Sequence, residues 1–157
     1  MTNSIMDIDR LGIDPTLQLQ HSRTLRCAAV LNANARSINR RVQHTLHRML
    51  PAESIHLTQS EEEAEAIISE ILASDTDIIF AGGGDGTIIQ LINTLRRELR
   101  ARGMSLMQGP LVGLMPFGTG NALANYFSIG NPYTDVGRLS SGAPLRVHPL
   151  RMLEWNG

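Results

Sequence analysis

The sequence predicts an α/β fold of three layers, in which helices cover both faces of a mostly parallel sheet. Short, unbroken apolar runs alternate along the chain with stretches whose apolar residues recur at helical spacing, and glycine-rich turns follow two of these runs. Unbroken apolar strands are typical of a parallel sheet that is buried on both faces. Strands that alternate with helices indicate β-α-β units, whose crossovers are right-handed.

The chain opens with a polar, aperiodic stretch over residues 1–24, which we expect to form an N-terminal arm. Residues 27–31 form an apolar run that predicts the first buried strand, ending at Asn32. A helix should follow, and Pro51 should close it. The apolar residues of this helix recur every three or four positions: Val42, Leu46, Met49 and Leu50.

Residues 55–58 predict a second strand, with Thr58 at its end. Ser60 should begin the clearest helix of the chain, because Glu63 three residues later completes a capping box. The apolar face of this helix has the spacing of an amphipathic helix: Ala64, Ile67, Ile68, Ile71 and Leu72.

Residues 77–81 predict a third strand, which runs directly into a glycine-rich turn at 82–87. An amphipathic helix follows that turn and should end at Gly103. Residues 111–115 predict a fourth strand, which leads into a second glycine-containing turn and a short helix.

The last part of the chain predicts a short helix near residues 135–141 and an extended stretch over 145–155. The expected order is therefore β-α-β-α-β-α-β-α-β, with residues 25–144 forming one α/β domain.

Composition limits the class of protein. The chain is 42% hydrophobic and 18% charged with a net charge of −1, which is typical of a globular domain and gives no electrostatic case for nucleic acid. Cys27 is the single cysteine, so no disulfide can form within the chain, and with no basic-then-apolar leader at the N-terminus we expect a cytoplasmic protein.

All 14 basic residues are arginine, and the chain contains no lysine. A P-loop and a protein-kinase site each need a lysine on the phosphates, so both are excluded. Any phosphate chemistry must use backbone N–H groups, arginine or a metal ion.

The first glycine-rich turn is the strongest functional signal in the sequence. It lies between a buried strand and an amphipathic helix, where open α/β sheets bind their ligands. Glycine lets the backbone approach a ligand closely, the following helix N-terminus offers N–H groups to a phosphate, and the last residue adds a hydroxyl. The residues of the turn are Gly82, Gly83, Gly84, Asp85, Gly86 and Thr87.

Asp85 needs a separate explanation, because a carboxylate repels a phosphate. Three roles are open to it: a bridge through Mg²⁺, a hydrogen bond to the loop backbone or a sugar hydroxyl, or general base to a substrate hydroxyl. The competing structural interpretation is a glycine-rich strand-to-helix turn with Asp85 as the cap.

A second turn follows the next strand: Gly118, Thr119, Gly120 and Asn121. It lies at the same kind of strand-to-helix corner, so the two turns should converge on one cleft. Taken alone, this turn is also compatible with a plain turn followed by a helix N-cap, an interpretation that its pairing with the first motif disfavours.

The pairing of residues 83–87 with residues 116–121, about thirty positions further on, resembles the catalytic domain of diacylglycerol kinases. This family includes sphingosine and ceramide kinases and bacterial lipid kinases. The resemblance covers about four-fifths of the chain, starting near Cys27. It implies the N-terminal domain fold shared by NAD kinases and diacylglycerol kinases, ATP as donor, Mg²⁺, and a lipid hydroxyl at a membrane surface as acceptor.

The resemblance also implies roles for individual residues. Residues 82–87 match the family's phosphate loop, with Asp85 as the catalytic candidate. Thr58 and Thr119 match threonines that contact the nucleotide, Gly118, Gly120 and Asn121 complete the second nucleotide-binding turn, and Asn32 matches the asparagine that ends the family's first strand. The chain departs from the family at residues 33–36, where a proline and a Ser-Gly turn are usual, and at Ala122, where the family often has Asp.

In the family, the stretch matching residues 145–157 begins the connection to a second, β-rich domain that supplies the acidic general base and metal contacts. We therefore expect residues 25–144 to be the nucleotide-binding half, assign no resident metal ligand to this chain, and expect self-association through the surface that the second domain would cover.

Two alternatives stay open at this point. In an NAD kinase relative, Asp85 itself would be the base, although the Gly-Thr-Gly-Asn turn argues against that branch. The other alternative is a non-catalytic nucleotide-binding module. A basic cluster in the third helix allows two further interpretations, favourable interaction with the helix dipole or contact with anionic lipid headgroups: Arg96, Arg97, Arg100 and Arg102.

Overall fold

The computed structural model describes residues 17–19 and 25–150. The strands are β1 (Leu17–Leu19), β2 (Cys27–Asn32), β3 (Ile55–Thr58), β4 (Ile78–Gly83), β5 (Leu111–Pro116) and β6 (Leu145–Val147). The helices are α1 (Arg40–His47), α2 (Glu61–Ala73), α3 (Asp85–Ala101), α4 (Ala122–Tyr126) and α5 (Thr134–Ser141).

The main sheet has four strands in the order β3-β2-β4-β5, and every neighbouring pair is parallel. From β2 the chain moves outward to β3, and it then crosses back over β2 to form β4 on the other side. The direction of winding thus reverses between β2 and β4. In open α/β sheets this reversal opens a crevice at the carboxyl ends of the two strands, where ligands bind.

Each face of the sheet buries its own apolar cluster. Alternate residues of a strand point to opposite faces, so Leu31 packs with α1 and α5 while Val30 packs with α2 and α3. Fully buried side chains anchor both layers, including Leu46 and Val136 on one face and Ile68 on the other. This arrangement confirms the predicted three-layer α/β/α fold with a mostly parallel sheet.

Helix α2 lies beside α3 on one face of the sheet, and its first turn is capped by side chains. The predicted cap of α2 forms, since the Ser60 hydroxyl oxygen accepts a hydrogen bond from the Glu63 N–H at 3.2 Å. The Glu63 carboxylate reaches back one residue further than expected and accepts from the Gln59 N–H at 2.7 Å.

Two arginines of the predicted basic cluster join α3 to α2. Arg97 forms an ion pair with Glu65, and the Arg102 guanidinium donates to the Ser69 carbonyl at 3.0 Å and hydroxyl at 2.8 Å. These contacts favour a structural role for these two side chains over contact with lipid headgroups.

The structure corrects the end of the first helix. α1 ends at His47, and Met49 and Leu50 continue as a turn whose N–H groups still bond to the Leu46 carbonyl. Leu50 precedes a proline, and a residue in that position is disfavoured from helical backbone angles, which ends the helix early.

The structure also corrects both ends of the chain. Residues 17–19, predicted as part of an irregular arm, form β1, which pairs antiparallel with β6, and Gln18 lies opposite Arg146. β6 therefore belongs to a separate two-stranded ribbon and does not extend the parallel sheet. The rest of the predicted arm and residues 151–157 of the predicted connection lie outside the described residues.

Thr94 offers a test of the packing around α3. Its side chain is 1% exposed, and its hydroxyl has no hydrogen-bond partner among the described residues. Burying a hydroxyl without a hydrogen-bond partner costs free energy, and an apolar group of the same shape avoids that cost. Thr94→Val should therefore raise the free energy of unfolding by about 1 kcal/mol. Urea denaturation of this chain measures the change.

Thr45→Val is the matched control, because the Thr45 hydroxyl donates to the Arg41 carbonyl at 2.9 Å in a partly exposed position. We expect that control to leave stability unchanged or slightly lower. A loss of stability in Thr94→Val would contradict the packing described for this helix.

Candidate functional site

The carboxyl ends of the four parallel strands bring the predicted site residues to one edge of the sheet. Asn32 at the end of β2 lies opposite Thr58 at the end of β3, and Gly83 at the end of β4 lies opposite Pro116 of β5. Both glycine-rich turns leave from this edge. The predicted residues, which span 90 positions of sequence, thus lie along the carboxyl edge of the sheet, where open α/β sheets bind their ligands.

The first turn is shaped by its own side chains. Gly82 and Gly83 complete β4, Gly84 is the N-cap of α3, and Asp85 begins that helix. A Cβ atom on Gly83 would lie 2.6 Å from Cβ and 2.7 Å from Oγ1 of Thr87, so glycine is needed where the Thr87 side chain folds back over the strand.

The start of α3 is open. No atom lies within 4 Å of the place where a Cβ of Gly86 would stand, and Gly86 is exposed. The first N–H groups of a helix have no acceptor inside the helix, and in α3 the first one bonded back is that of Ile88, which donates to the Gly84 carbonyl. This end of α3 can therefore accept an anion at the N–H groups of Gly86 and Thr87.

Asn32 and Thr87 link the two sides of the crevice. The Asn32 side-chain amide donates to the Thr87 hydroxyl oxygen at 2.9 Å, and the Asn34 N–H donates to Asn32 Oδ1 at 2.9 Å. Because the Thr87 oxygen accepts this bond, its own hydroxyl hydrogen is left to donate to another group. Asn32 thus fixes Thr87 as a hydrogen-bond donor at the crevice.

Thr58 lies where the sequence placed it, at the end of β3, but its side chain is buried. Its hydroxyl donates to the Leu31 carbonyl at 3.3 Å. Because this hydroxyl bonds within the sheet, Thr58 supports the backbone at the edge and does not present a polar group at its surface.

Asn121 closes the second turn. Its Oδ1 accepts from the Gly118 N–H at 2.9 Å, and its Nδ2 donates to the Gly118 carbonyl at 2.7 Å. Asn121 itself has a left-handed backbone with φ of 51°, which asparagine tolerates better than most residues. Thr119 is exposed at the tip of the turn that these bonds define.

The two turns touch each other. A Cβ atom on Gly118 would overlap the Gly84 Cα atom, so the two backbones are in direct contact. Beside this contact the Asp85 carboxylate accepts from two N–H groups at the start of α4, with Oδ2 at 2.8 Å from the Ala122 nitrogen and Oδ1 at 2.9 Å from that of Leu123. Two motifs separated by more than thirty residues therefore form one structural unit.

The bonds from Leu123 and then from Ala122 hold the pKa of the Asp85 carboxyl below its usual value, against a smaller opposing effect of burial. Asp85 is therefore ionised at neutral pH. The sequence did not predict this capping of α4, and no local signal points to it, because donor and acceptor lie 37 residues apart.

Asn34 is a site residue that the sequence analysis missed. Its N–H bonds to Asn32, and its side-chain amide donates to the Gln59 carbonyl at 2.9 Å, which ties the loop after β2 to the residue after β3. The Asn-x-Asn spacing could have indicated it, since an asparagine side chain commonly accepts from the N–H two residues on.

Two further observations bear on cofactors and membranes. Among the described residues, no group of three or more His, Cys, Asp and Glu side chains is arranged to hold a metal ion. No described helix has both the length and the apolar character that crossing a bilayer requires.

The fold and the edge together define an α/β domain with two glycine-rich turns at the carboxyl ends of its parallel strands, which is where open α/β sheets bind ligands. A family model described as diacylglycerol kinase catalytic domain matches residues 29–152, which is well over half of the chain and includes both glycine turns. The chain belongs to this family, as the resemblance of its two motifs predicted. No curated protein matches the chain.

The Asn121 clamp can be tested on stability. Asn121→Ala removes both bonds to Gly118 and leaves an alanine in a left-handed backbone, so it should destabilise the fold by about 2–4 kcal/mol. Asn121→Gly removes the same bonds without the backbone penalty, and should be about 1 kcal/mol less destabilised than the alanine variant. Chemical denaturation of the two variants in parallel gives both values, and equal stability of the two would contradict the left-handed conformation.

Proposed function

We propose that this chain is the nucleotide-binding half of an ATP-dependent lipid kinase, which transfers the γ-phosphate to a diacylglycerol-like or sphingoid hydroxyl. The observation that carries the proposal is the contact of the two glycine turns at the crevice of a chain that belongs to the diacylglycerol kinase family. Phosphoryl transfer depends mainly on positioning and on stabilising charge, which rigid backbone N–H donors supply well.

In this proposal the open start of α3 binds the phosphates of ATP. The N–H groups of Gly86 and Thr87 and the Thr87 hydroxyl, which Asn32 orients, are the donors. Thr119 adds a hydroxyl from the tip of the second turn. The residues proposed to form the nucleotide site are Asn32, Gly82, Gly83, Gly84, Asp85, Gly86, Thr87, Gly118, Thr119, Gly120 and Asn121. Thr58, whose buried hydroxyl bonds within the sheet, is proposed to support the edge beneath the nucleotide without contacting it through that hydroxyl.

Mg²⁺ fits this crevice as an ion that arrives with the nucleotide. Mg²⁺ bound to nucleotide phosphates takes most of its ligands from phosphates and water and needs only one or two carboxylates from the protein. The Asp85 carboxylate lies beside the proposed phosphate-binding turn, but both of its oxygens accept from backbone N–H groups, so we do not assign it as a ligand of the ion. When bound, the ion would offset the negative charge of the phosphates and of that carboxylate.

We propose that the lipid groove and the general base lie in a β-rich domain that residues 145–157 would connect to the nucleotide-binding half. Family membership supports this division. The acceptor would then be presented at a membrane surface, with the enzyme acting as a peripheral protein on the cytoplasmic side. The single cysteine and the absence of lysine-dependent phosphate motifs agree with such a protein.

The decisive experiment is transfer of labelled γ-phosphate from Mg-ATP. This chain and a version extended past Gly157 are each offered a mixed lipid extract and, separately, NAD. We expect label in the lipid fraction with the extended chain. Label on NAD would identify an NAD kinase relative, and transfer to neither acceptor would support a non-catalytic nucleotide-binding module.

Gly118→Ala tests whether contact between the turns matters for the nucleotide. The added methyl group must displace the second turn from Gly84, so the Kd for Mg-ATP should rise at least about tenfold, which corresponds to about 1.4 kcal/mol of lost binding. Isothermal titration calorimetry measures it.

Gly130→Ala is the control, since nothing lies within 4 Å of its added Cβ atom. It should bind as the unchanged chain does. A Gly118→Ala variant that keeps full affinity would show that nucleotide binding does not depend on the approach of the two turns.

A further inference from the structure

We infer that Asp85 is a positioning residue, whose carboxylate holds the start of α4 and thereby fixes the second glycine turn against the first. The inference rests on the proposed function and assigns a role within that same site. It differs from the base role that the sequence left open, because it places no substrate proton on Asp85.

Helix α4 has no capping side chain at the residue before it. The residue before it, Asn121, makes no capping bond to the helix, because its side chain turns back to clamp Gly118. A helix start leaves N–H groups without partners, and a nearby carboxylate is a preferred acceptor for them. Asp85 fills that role from another helix, with one oxygen for each of the first two N–H groups of α4.

The backbone next to Asp85 is also held close to the second turn. Asp85 follows directly after Gly84, whose backbone touches Gly118. Just before that contact, the Phe117 N–H donates to the Gly83 carbonyl at 3.0 Å. Three successive residues, 83–85, therefore contact the second turn and the residues on either side of it: Gly83 bonds to Phe117, Gly84 touches Gly118, and Asp85 bonds to the start of α4.

The bonds of Asp85 also bear on whether it could act as a general base. A general base must have a lone pair directed at the substrate and a pKa near the working pH. Both oxygens of Asp85 accept from backbone N–H groups, and those bonds stabilise the ionised form. The arrangement suits a fixed negative charge at two helix starts better than it suits proton transfer.

Asp85→Asn tests the inference with little change in size. The amide keeps one accepting oxygen but turns an NH₂ group toward the other N–H, so the start of α4 should loosen. Hydrogen exchange at the amides of Ala122 and Leu123 should speed up in this variant, with the rest of the sheet unaffected. Unchanged exchange at both amides would overturn the inference, whether or not the protein is a kinase.

Nucleotide binding gives a second, separate readout on the chain itself. A displaced turn should raise the Kd for Mg-ATP by about 10–100-fold in Asp85→Asn. In an Asn121→Ala background, where the turn is already released, the same change should have a much smaller effect, because both residues act through one element. Equal effects in the two backgrounds would contradict positioning.

Asp75→Asn serves as the control for the loss of a carboxylate charge. Asp75 is exposed and lies in the loop that leads into β4, at the opposite edge of the sheet, where it pairs with Arg26. It should leave exchange and affinity unchanged. If Asp85→Asn does not fold, Asp85→Ser, which keeps one accepting oxygen, replaces it. Failure of the unchanged chain to bind Mg-ATP would count against the proposed function, while the exchange result would still decide the role of Asp85.

The pH dependence of turnover separates a positioning residue from a base in the active lipid kinase. Removing a base should lower kcat by about 10²–10⁴-fold and abolish the acidic limb of the pH profile. Under the inference, Asp85→Asn mainly raises KM for ATP and keeps the shape of the profile. Loss of the acidic limb would overturn the positioning role.

Discussion

The backbone contact between Gly84 and Gly118 is the constraint on which the rest of the site depends. β4 and β5 are parallel neighbours, so the chain leaves both strands at the same edge, and the two turns must share that space. A Cβ atom on Gly118 would overlap the Gly84 Cα atom, and one on Gly84 would lie in tight contact with the Gly118 Cα atom at 3.3 Å. Once the backbones meet, Asp85 lies within reach of the first N–H groups of α4, and Asn121 is free to close its own turn. The need for glycine at position 118 follows from this contact, whereas Gly83 is needed because the Thr87 side chain folds back over it.

Rigid elements support this contact. α3 is 17 residues long and buries six of its side chains. It packs with the sheet and α2 in one apolar cluster, and this packing fixes the position of the open N–H groups at its start. On the other side of the crevice, Asn32 ends a strand buried from both faces and orients Thr87. Sites built on packed strands and helices hold their geometry better than sites on loops. The fold thus supplies donors in fixed positions, which is what phosphate binding requires.

Much of the fold follows from the sequence, because local signals and global packing agree there. The apolar runs of β2 and β4 and the spacing of α2 each indicate their structure alone. The glycine motif of residues 82–87 lies at a strand-to-helix junction as predicted, but β4 continues through Gly83 and α3 begins at Asp85, so the turn itself is shorter than expected. The missed features depend on distant partners. β1 has three residues and pairs with a strand more than a hundred positions away, and the Asp85 cap spans 37 positions. The left-handed backbone of Asn121 is by contrast a local feature, because its side chain bonds to Gly118 three residues earlier and asparagine tolerates this conformation.

The central claim is that both glycine turns bind one nucleotide at the carboxyl edge of the sheet. The most direct test is a titration of the isotopically labelled chain with Mg-ATP, followed by backbone amide chemical shifts in NMR spectra. We expect the largest shifts in residues 82–87 and 118–123, and we expect both sets to follow a single binding curve. Shifts confined to one turn, shifts centred elsewhere in the fold, or two different binding curves would contradict it.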